Sequence, residues 1–384
     1  MALSKIDVAN MLTGLVPNDN TIRRPNATPL IINGDMQVAQ RSVSETGKTS
    51  AGYYTCDRMH SNIDSIGTYT IIQESLSSGN AYINGFTKAW RIDTTTADAS
   101  PASGDNFSFI YSFEGQDLQL FKKGTANAEK FTLAFWVKSN KTGTGNVNLF
   151  DTDNTRLIGG TYTISSADTW EHKVVNFAAD TTGAFTNDNG QSLKIEWFLD
   201  SGTNFSSGTT DTTWGAKDDT DRNASGTLQI ARNTDNDWAI TGIQLEVGEY
   251  SSTTLPPFQH ETFDENKKRC ARYYYKVAEH GADGLTNQTI GMGYYKSTSQ
   301  WRILCYLPVR PRTNPSLDST SGTDYYINDL TGIDDTFNGV ELTRSNSDIL
   351  QVVHVASNVS GTVGQAGESV AVASGAYIAF KAEL

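Results

Sequence analysis

One group of closely spaced oxygen-bearing side chains lies in Asp151-Thr152-Asp153-Asn154. Asp151 and Asp153 could ligate Ca²⁺, which prefers carboxylate and carbonyl oxygens. A calcium loop of the EF-hand type would also need Gly at its sixth position and Glu at its twelfth, where this chain has Arg156 and Tyr162. The sequence therefore leaves two interpretations open: a weak calcium site at Asp151 and Asp153, or a hairpin turn without a metal.

Aromatic side chains in polar stretches are the other residues that could recognise a ligand. Sugar rings stack their C–H faces on flat aromatic rings, while Asp, Asn and Gln bond the hydroxyl groups. Trp214 is the best candidate because it lies in the polar stretch Asp211-Thr212-Thr213-Trp214-Gly215, and Phe205 and Trp170 are weaker ones. Each ring could equally anchor its own loop, and Trp136 is more typical of a core residue.

Catalytic constellations are absent from the sequence. The five histidines share no metal-ligand spacing, and no Gly-x-Ser-x-Gly is present. A glycosidase needs only two carboxylates, so hydrolysis stays open in a chain with 43 acidic residues. We expect no enzymatic activity and no cofactor.

The composition restricts the class of protein. A net charge of −13 argues against nucleic-acid binding and against docking to an anionic membrane. No apolar run is long enough for membrane insertion, and the first residues lack the apolar stretch of a signal peptide. Three isolated cysteines, Cys56, Cys270 and Cys305, are not a disulfide framework and suit assembly in a reducing cytosol.

Apolar residues alternate with period two, which is typical of half-buried strands. One such run holds Phe131, Leu133, Phe135 and Val137, and another holds Trp301, Ile303, Cys305 and Leu307. Gly, Asn and Asp clusters separate the runs. The pattern predicts an all-β chain: an antiparallel jelly-roll sandwich followed by a second, smaller β-sandwich domain.

Two short helices are predicted outside the strands. Ser4 can cap the first, which places Ile6, Ala9 and Leu12 on one face of an N-terminal attachment arm. Thr262-Phe263-Asp264-Glu265 fits a capping box and predicts a linking helix. The predicted domains are the arm at 1–28, the jelly roll at 29–260 and the C-terminal β domain at 261–384.

Several short sequence motifs, in this order, resemble those of bacteriophage tail-fibre and head-fibre virion structural proteins over about residues 30 to 384. They are Ile32-Asn33-Gly34-Asp35-Met36-Gln37, Tyr54-Thr55-Cys56-Asp57-Arg58, Phe135-Trp136-Val137-Lys138-Ser139, Asp168-Thr169-Trp170-Glu171, Gly242-Ile243-Gln244-Leu245-Glu246, Pro257-Phe258-Gln259-His260, Arg269-Cys270-Ala271-Arg272-Tyr273-Tyr274, Leu307-Pro308-Val309-Arg310 and Ile378-Ala379-Phe380-Lys381-Ala382-Glu383-Leu384. The core at 29–260 is also similar, more distantly, to the carbohydrate-binding jelly rolls of bacterial polysaccharidases. Those modules often hold calcium through an Asp of the closing strand, where this chain has Thr241-Gly242.

The resemblance implies a fibre or appendage subunit, assembled in the host cytoplasm and exposed on the virion surface. It further implies a homotrimer whose arm binds other virion proteins and whose outer domains contact a host surface glycan or receptor. Two alternatives stay open: a capsid decoration or head-fibre protein without a receptor role, and a glycan depolymerase. The tyrosines that crowd the start of the last domain fit either a core or a subunit interface; they are Tyr273, Tyr274, Tyr275, Tyr294 and Tyr295.

Overall fold

A computed structural model describes residues 28–284, 286–330, 333–344, 346–355 and 358–384. The predicted arm helix with Ile6, Ala9 and Leu12 therefore lies outside the described residues. Within them the regular secondary structure is mainly antiparallel sheet, as the sequence predicts. None of the described helices is both long and apolar enough to cross a bilayer.

Two large sheets face each other in the first sandwich. Sheet 1 contains β1 (Ser44–Lys48), β4 (Thr68–Ser75), β5 (Lys88–Thr96), β7 (Phe131–Lys138), β10 (Glu171–Phe177) and β13 (Asp237–Val247), in the spatial order β1-β4-β5-β13-β7-β10. Sheet 2 contains β2 (Gly52–Tyr53), β3 (His60–Asp64), β6 (Asn106–Glu114), β8 (Gly143–Asp151), β9 (Arg156–Ile164), β11 (Gln191–Ser201) and β12 (Gly215–Ala216), in the order β12-β9-β8-β11-β6-β3-β2. Chain neighbours repeatedly fall in different sheets, which is the crossing connectivity of a jelly roll.

A smaller pair of sheets follows. Sheet 3 contains β14 (Tyr274–Glu279), β17 (Ser316–Ser319) and β23 (Tyr377–Lys381), in the order β14-β23-β17. Sheet 4 contains β15 (Gln288–Ser297), β16 (Gln300–Tyr306), β18 (Tyr326–Leu330), β19 (Ile333–Phe337), β20 (Glu341–Arg344), β21 (Leu350–Val355) and β22 (Ala366–Ala371), in the order β19-β18-β22-β15-β16-β21-β20. The last strand, β23, is the centre of sheet 3.

Helices are few and short. The described α-helices are α1 (Gly79–Ile83) and α2 (Phe263–Cys270), with 3₁₀ turns at Gly115–Phe121, Asp219–Asp221, Ile230–Arg232 and Ala282–Gly284. Thr262 caps α2 by accepting a hydrogen bond from the Glu265 backbone N–H, and the Glu265 carboxylate bonds back to Thr262. This confirms the predicted capping box and the linking helix.

Alternating side chains build the core of the first sandwich. Phe131, Leu133, Phe135 and Val137 are fully buried, as the period of two predicts. At the centre of this core, the Phe109 ring centroid lies 4.6 Å from that of Trp90, 5.4 Å from Trp197 and 5.8 Å from Trp238. A separate buried cluster fills the second sandwich. Cys56, Cys270 and Cys305 are buried free thiols.

The two sandwiches meet through buried charges. The Arg58 side chain is 1% exposed and donates to Glu383 Oε2 at 2.6 Å, while Arg41 reaches Glu383 Oε1 at 3.1 Å. Next to them, Arg272 makes two 2.7 Å hydrogen bonds to the fully buried Glu114 carboxylate. These ion pairs join Glu383 to the loops that hold Arg41 and Arg58, and Arg272, which follows α2, to β6 of sheet 2.

Residues before the first strand also belong to this junction. Ile32 and Val38 pack with Cys270 and Tyr273 in one small buried cluster. Because segments from both predicted domains share this cluster, a boundary at residue 260 stays a prediction. The buried polar contacts are specific, so we infer that the two sandwiches are held in one arrangement.

A glycine in β13 is required by its backbone and by its surroundings. Gly242 has φ +62°, and β13 shifts register against β7 between Thr241 and Gln244. A Cβ added there would lie 2.7 Å from the Phe86 ring and 3.0 Å from Trp136. The bulge also lets the Ile243 N–H donate to Gly34 O at 2.9 Å, which docks the first turn of the described chain.

Gly242→Ala should lower the free energy of unfolding by about 2–3 kcal/mol. Of this, about 1–2 kcal/mol comes from the left-handed backbone and about 1 kcal/mol from displacing the Phe86 ring. Chemical denaturation measures the change. Gly47→Ala is the control, because Gly47 has φ +67° with no atom within 4 Å of an added Cβ. If Gly242→Ala lowers the free energy of unfolding no more than Gly47→Ala does, contact of the added Cβ with the Phe86 ring does not contribute.

Candidate functional site

The outer face of sheet 1 carries a group of charged side chains that we call the charged face: Glu74, Arg91, Asp93, Lys138 and Asp237. They come from β4, β5, β13 and β7, which lie next to one another in sheet 1. The register places Ile72 opposite Arg91, Arg91 opposite Ala239, and Ala239 opposite Lys138. Directly paired residues point to the same side of a sheet, so these side chains share one surface.

Arg91 is the centre of the charged face. Its Nη2 lies 2.7 Å from Asp93 Oδ1 and 3.4 Å from Asp237 Oδ2, and its Nη1 lies 3.5 Å from Glu74 Oε1. Lys138 Nζ lies 3.6 Å from Glu74 Oε2. Only the 2.7 Å contact is of ordinary hydrogen-bond length. Glu74 Oε2 is buried without a hydrogen-bond partner, so a ligand's hydroxyl groups can reach Glu74 only through Oε1, while the Lys138 ammonium makes no ion pair of ordinary hydrogen-bond length.

Partial exposure makes these groups available. The exposed fractions of the side chains are 30% for Arg91, 25% for Asp93, 22% for Glu74, 19% for Lys138 and 11% for Asp237. Three of their polar atoms, Glu74 Oε2, Arg91 Nε and Asp93 Oδ1, are nevertheless buried. Burial raises the pKa of Asp93; Arg91 opposes this rise and Asp237 adds to it.

An aromatic pair borders the charged face. Trp136, half-buried, lies opposite His172 on β10, with ring centroids 5.0 Å apart. Trp136 points outward because it alternates with the buried Phe135 and Val137. On this side of the sheet it packs, partly buried, against a small apolar cluster that includes Phe86 and Trp170. Charged donors and acceptors beside a flat ring are the combination that sugar binding requires.

The outer face of sheet 2 is covered by the segment that follows β11. Arg222, from the segment after β11, makes 2.9 and 3.0 Å hydrogen bonds to the Glu196 carboxylate. The Phe205 ring lies 6.0 Å from that of Phe198, which is 1% exposed. Segment 202–226 thus shields β8 and β11, while the outer face of sheet 1 is covered in part by an apolar cluster that includes Phe86 and Trp170.

The three aromatic candidates from the sequence do not come together. Phe205 covers sheet 2. Trp214 packs against the core, donates from Nε1 to Ala178 O at 2.8 Å and lies 4.9 Å from Lys123 Nζ. Trp170 is 5% exposed and contacts the charged face only through Lys138, whose Nζ is 5.4 Å from its ring centroid.

The calcium candidates are also separated. Asp151 is fully buried and ion-paired to Lys123 Nζ, which also lies 2.9 Å from Asp180 and 2.7 Å from Gly183 O. This ammonium occupies the place where a cation would contact Asp151. Asp153 instead accepts from the Thr186 N–H at 2.9 Å. No three metal-ligating side chains converge anywhere in the part of the chain that the structure describes.

Most of the tyrosine cluster is internal. Tyr273, Tyr274 and Tyr295 are 2%, 1% and 0% exposed, so their side chains cannot reach a neighbouring subunit. Tyr275 packs partly against the second core. Tyr294 is 37% exposed on the outer side of sheet 4, and it is the member of the five that offers most of its ring to solvent.

Sequence comparison finds no family model and no curated protein that matches the chain. Solved structures with a similar fold include the enzymatically active domain of tailspike protein 4 of bacteriophage CBA120, at 11% identity and TM-score 0.27, covering 57% of this chain and 21% of that one. A family 11 carbohydrate-binding module from a cellulosomal cellulase of Clostridium thermocellum is 8% identical with TM-score 0.25, covering 54% and 97%. An apo cyclase from Fischerella sp. is 11% identical with TM-score 0.31, covering 58% and 98%. The functional argument therefore rests on the residues of this chain.

Proposed function

We propose that this chain is a bacteriophage virion structural protein, a fibre or appendage subunit that contacts a host surface glycan through the charged face. The observation that carries the proposal is the placement of Arg91, Glu74, Lys138 and Trp136 on one partly exposed sheet surface. The ordered sequence motifs that resemble those of fibre proteins support a location of this chain on the virion. In this proposal residues 1–28 attach the subunit to other virion proteins, and three copies assemble.

A non-covalent role fits the chemistry of the charged face. Arg91 forms ion pairs with three carboxylates, so it fixes their positions while each retains further oxygen lone pairs. Individual sugar contacts of this kind are weak. Three copies on one fibre would raise the overall affinity because they bind the same polymer together.

Arg91→Ala should weaken binding of the full-length protein to host surface polysaccharide by about tenfold or more, because charged hydrogen bonds contribute about 1.5–3 kcal/mol. Trp136→Ala should weaken it as well. Isothermal titration measures the affinity, and the block of phage adsorption by free protein gives an independent readout. The control is Arg302→Ala, which removes a half-buried arginine from the outer face of sheet 4.

If the folded Arg91→Ala and Arg302→Ala variants bind host surface polysaccharide with equal affinity, the charged face is not the glycan-binding surface. Failure of the unmodified chain both to bind polysaccharide and to block adsorption, combined with binding to capsids, would instead indicate a decoration protein.

One observation favours a glycan depolymerase as the second candidate. Asp93 and Asp237 contact the same Arg91 nitrogen, and the pKa of Asp93 is raised by burial. Glycoside hydrolysis uses one carboxyl with a raised pKa beside an ionised one. The guanidinium between them opposes protonation of Asp93, so we expect binding without cleavage. New reducing ends that disappear in Asp93→Asn would support the enzyme.

A further inference from the structure

A cleft of about 560 Å³ lies at the junction of the two sandwiches, away from the charged face. Its floor is apolar and includes Pro29, Leu30, Ile32 and Val309. Its walls come from the last turn of α2, the residues after that helix and the turn after β16. The volume is in the range of pockets that hold a small-molecule ligand.

Cations dominate the walls. Lys268, Arg269, Arg272 and Arg310 line the cleft, and Asp117 is the carboxylate among the lining residues. This concentration of positive charge stands out in a chain with a net charge of −13. A local positive field over an apolar floor attracts an anion that also has an apolar surface.

Two of these cations have partly buried structural partners, one has a long surface contact, and one has no ion-pair partner among the described residues. Arg269 donates to Glu261 at 2.6 Å, and Arg272 is held by Glu114. Lys268 is exposed and has no ion-pair partner among the described residues. Arg310 is 73% exposed and lies 3.7 Å from Asp348, which is itself 57% exposed. Lys268 and Arg310 therefore have charge available for a ligand.

We propose that this cleft binds a carboxylate-bearing sugar, of the uronic acid class. Lys268 and Arg310 bond the carboxylate, and the apolar floor contacts the C–H face of the ring. The site is independent of the charged face, because none of its lining residues belongs to sheet 1. A neutral sugar lacks the group that the two cations recognise, so the cleft discriminates by charge.

The test is titration of the full-length protein with glucuronate and, as the neutral counterpart, with glucose. We expect glucuronate to bind at millimolar concentration or below, glucose not to bind, and added salt to weaken the interaction. Lys268→Ala combined with Arg310→Ala should reduce glucuronate affinity about tenfold or more. Both side chains are exposed, so the variant should fold as the parent does.

Lys267→Ala is the matched control, since Lys267 is an exposed neighbour in the same helix and does not line the cleft. The affinity of this variant for glucuronate should stay within about twofold of the parent, because an exposed charge that does not line the cleft acts on the ligand only through solvent, where salt screens it. Absence of glucuronate binding, equal binding of glucose, or equal effects of the double and control variants would overturn the proposal. Arg91→Ala should leave glucuronate binding unchanged, which separates this outcome from that of the proposed function.

Discussion

Glu383→Gln is expected to lower the free energy of unfolding by about 3–5 kcal/mol, because removing one partner of a buried pair leaves an uncompensated charge. Arg58 is 1% exposed, and Glu383 is the carboxylate that its side chain contacts. The guanidinium also lies 3.5 Å from the Tyr273 ring centroid, so it has no path to solvent. Chemical denaturation monitored by tryptophan fluorescence measures the loss.

Glu249→Gln provides the matched control for this substitution. Its ion pair with Lys130 has the same 2.6 Å separation as the pair of Arg58 and Glu383, but the two side chains are 56% and 50% exposed. A surface pair of this kind contributes about 0–1 kcal/mol. If the two variants lose similar stability, the junction does not depend on its buried charges.

Lys123→Met, in the first sandwich, is expected to lower the free energy of unfolding by a similar amount, about 3–5 kcal/mol. The Lys123 ammonium is fully buried between Asp151, which is 0% exposed, and Asp180, which is 4% exposed. Methionine has a comparable length but supplies no charge, so Asp151 would be left buried without a cation. Thermal and chemical denaturation measure the change.

The effect of Lys123→Met should depend on pH. Burial alone would raise the pKa of Asp180, but hydrogen bonds donated by Arg156 and Lys123 outweigh it and lower that pKa. A carboxyl with a lowered pKa stabilises the fold above its unfolded pKa of about 3.9, and this is lost as the pH falls through the folded value. The difference between variant and parent should therefore be largest at neutral pH and shrink below about pH 4.

Lys122→Met is the control for this position. Lys122 is the adjacent residue, is 52% exposed and pairs with Glu129 at 2.6 Å. Its replacement should change stability by less than about 1 kcal/mol at every pH. A penalty for Lys123→Met that persists unchanged in acid would show that packing, rather than charge, explains it.

Local sequence patterns were sufficient for the strands and for the linking helix. The period of two in β7 depends only on neighbouring residues, and it correctly separates Phe135 and Val137 from Lys138. The capping box of Thr262 and Glu265 is likewise a relation over three positions. Both features follow from the types of residues a few positions apart, so a local sequence pattern is sufficient to indicate them.

Long-range contacts explain what the sequence could not predict. The charged face joins Glu74, Arg91, Lys138 and Asp237 from strands far apart in the chain, and only the order β4-β5-β13-β7 makes them neighbours. Asp151 looks like a metal ligand when read locally, but its partner Lys123 lies 28 positions away. Two charged residues at alternate positions of β5, Arg91 and Asp93, are the signal that could have indicated an outward polar face.

Several of the sequence motifs that carry the resemblance to fibre proteins contain residues that make long-range contacts. Gly34 contacts the bulge at Ile243, Arg58 pairs with Glu383, and Arg272 pairs with Glu114. Phrases that are distant in sequence therefore meet in space. One of them, Phe135-Trp136-Val137-Lys138-Ser139, also supplies Trp136 and Lys138 to the outer face of sheet 1.

Hydrogen–deuterium exchange of the full-length protein with and without host surface polysaccharide tests the central claim most directly. Binding at the charged face predicts slower exchange in peptides that cover β4, β5 and β7, with little change in sheet 4. The same protection should be absent in Arg91→Ala. Protection confined to other surfaces, in a sample that binds the polysaccharide, would contradict the assignment of glycan contact to this sheet.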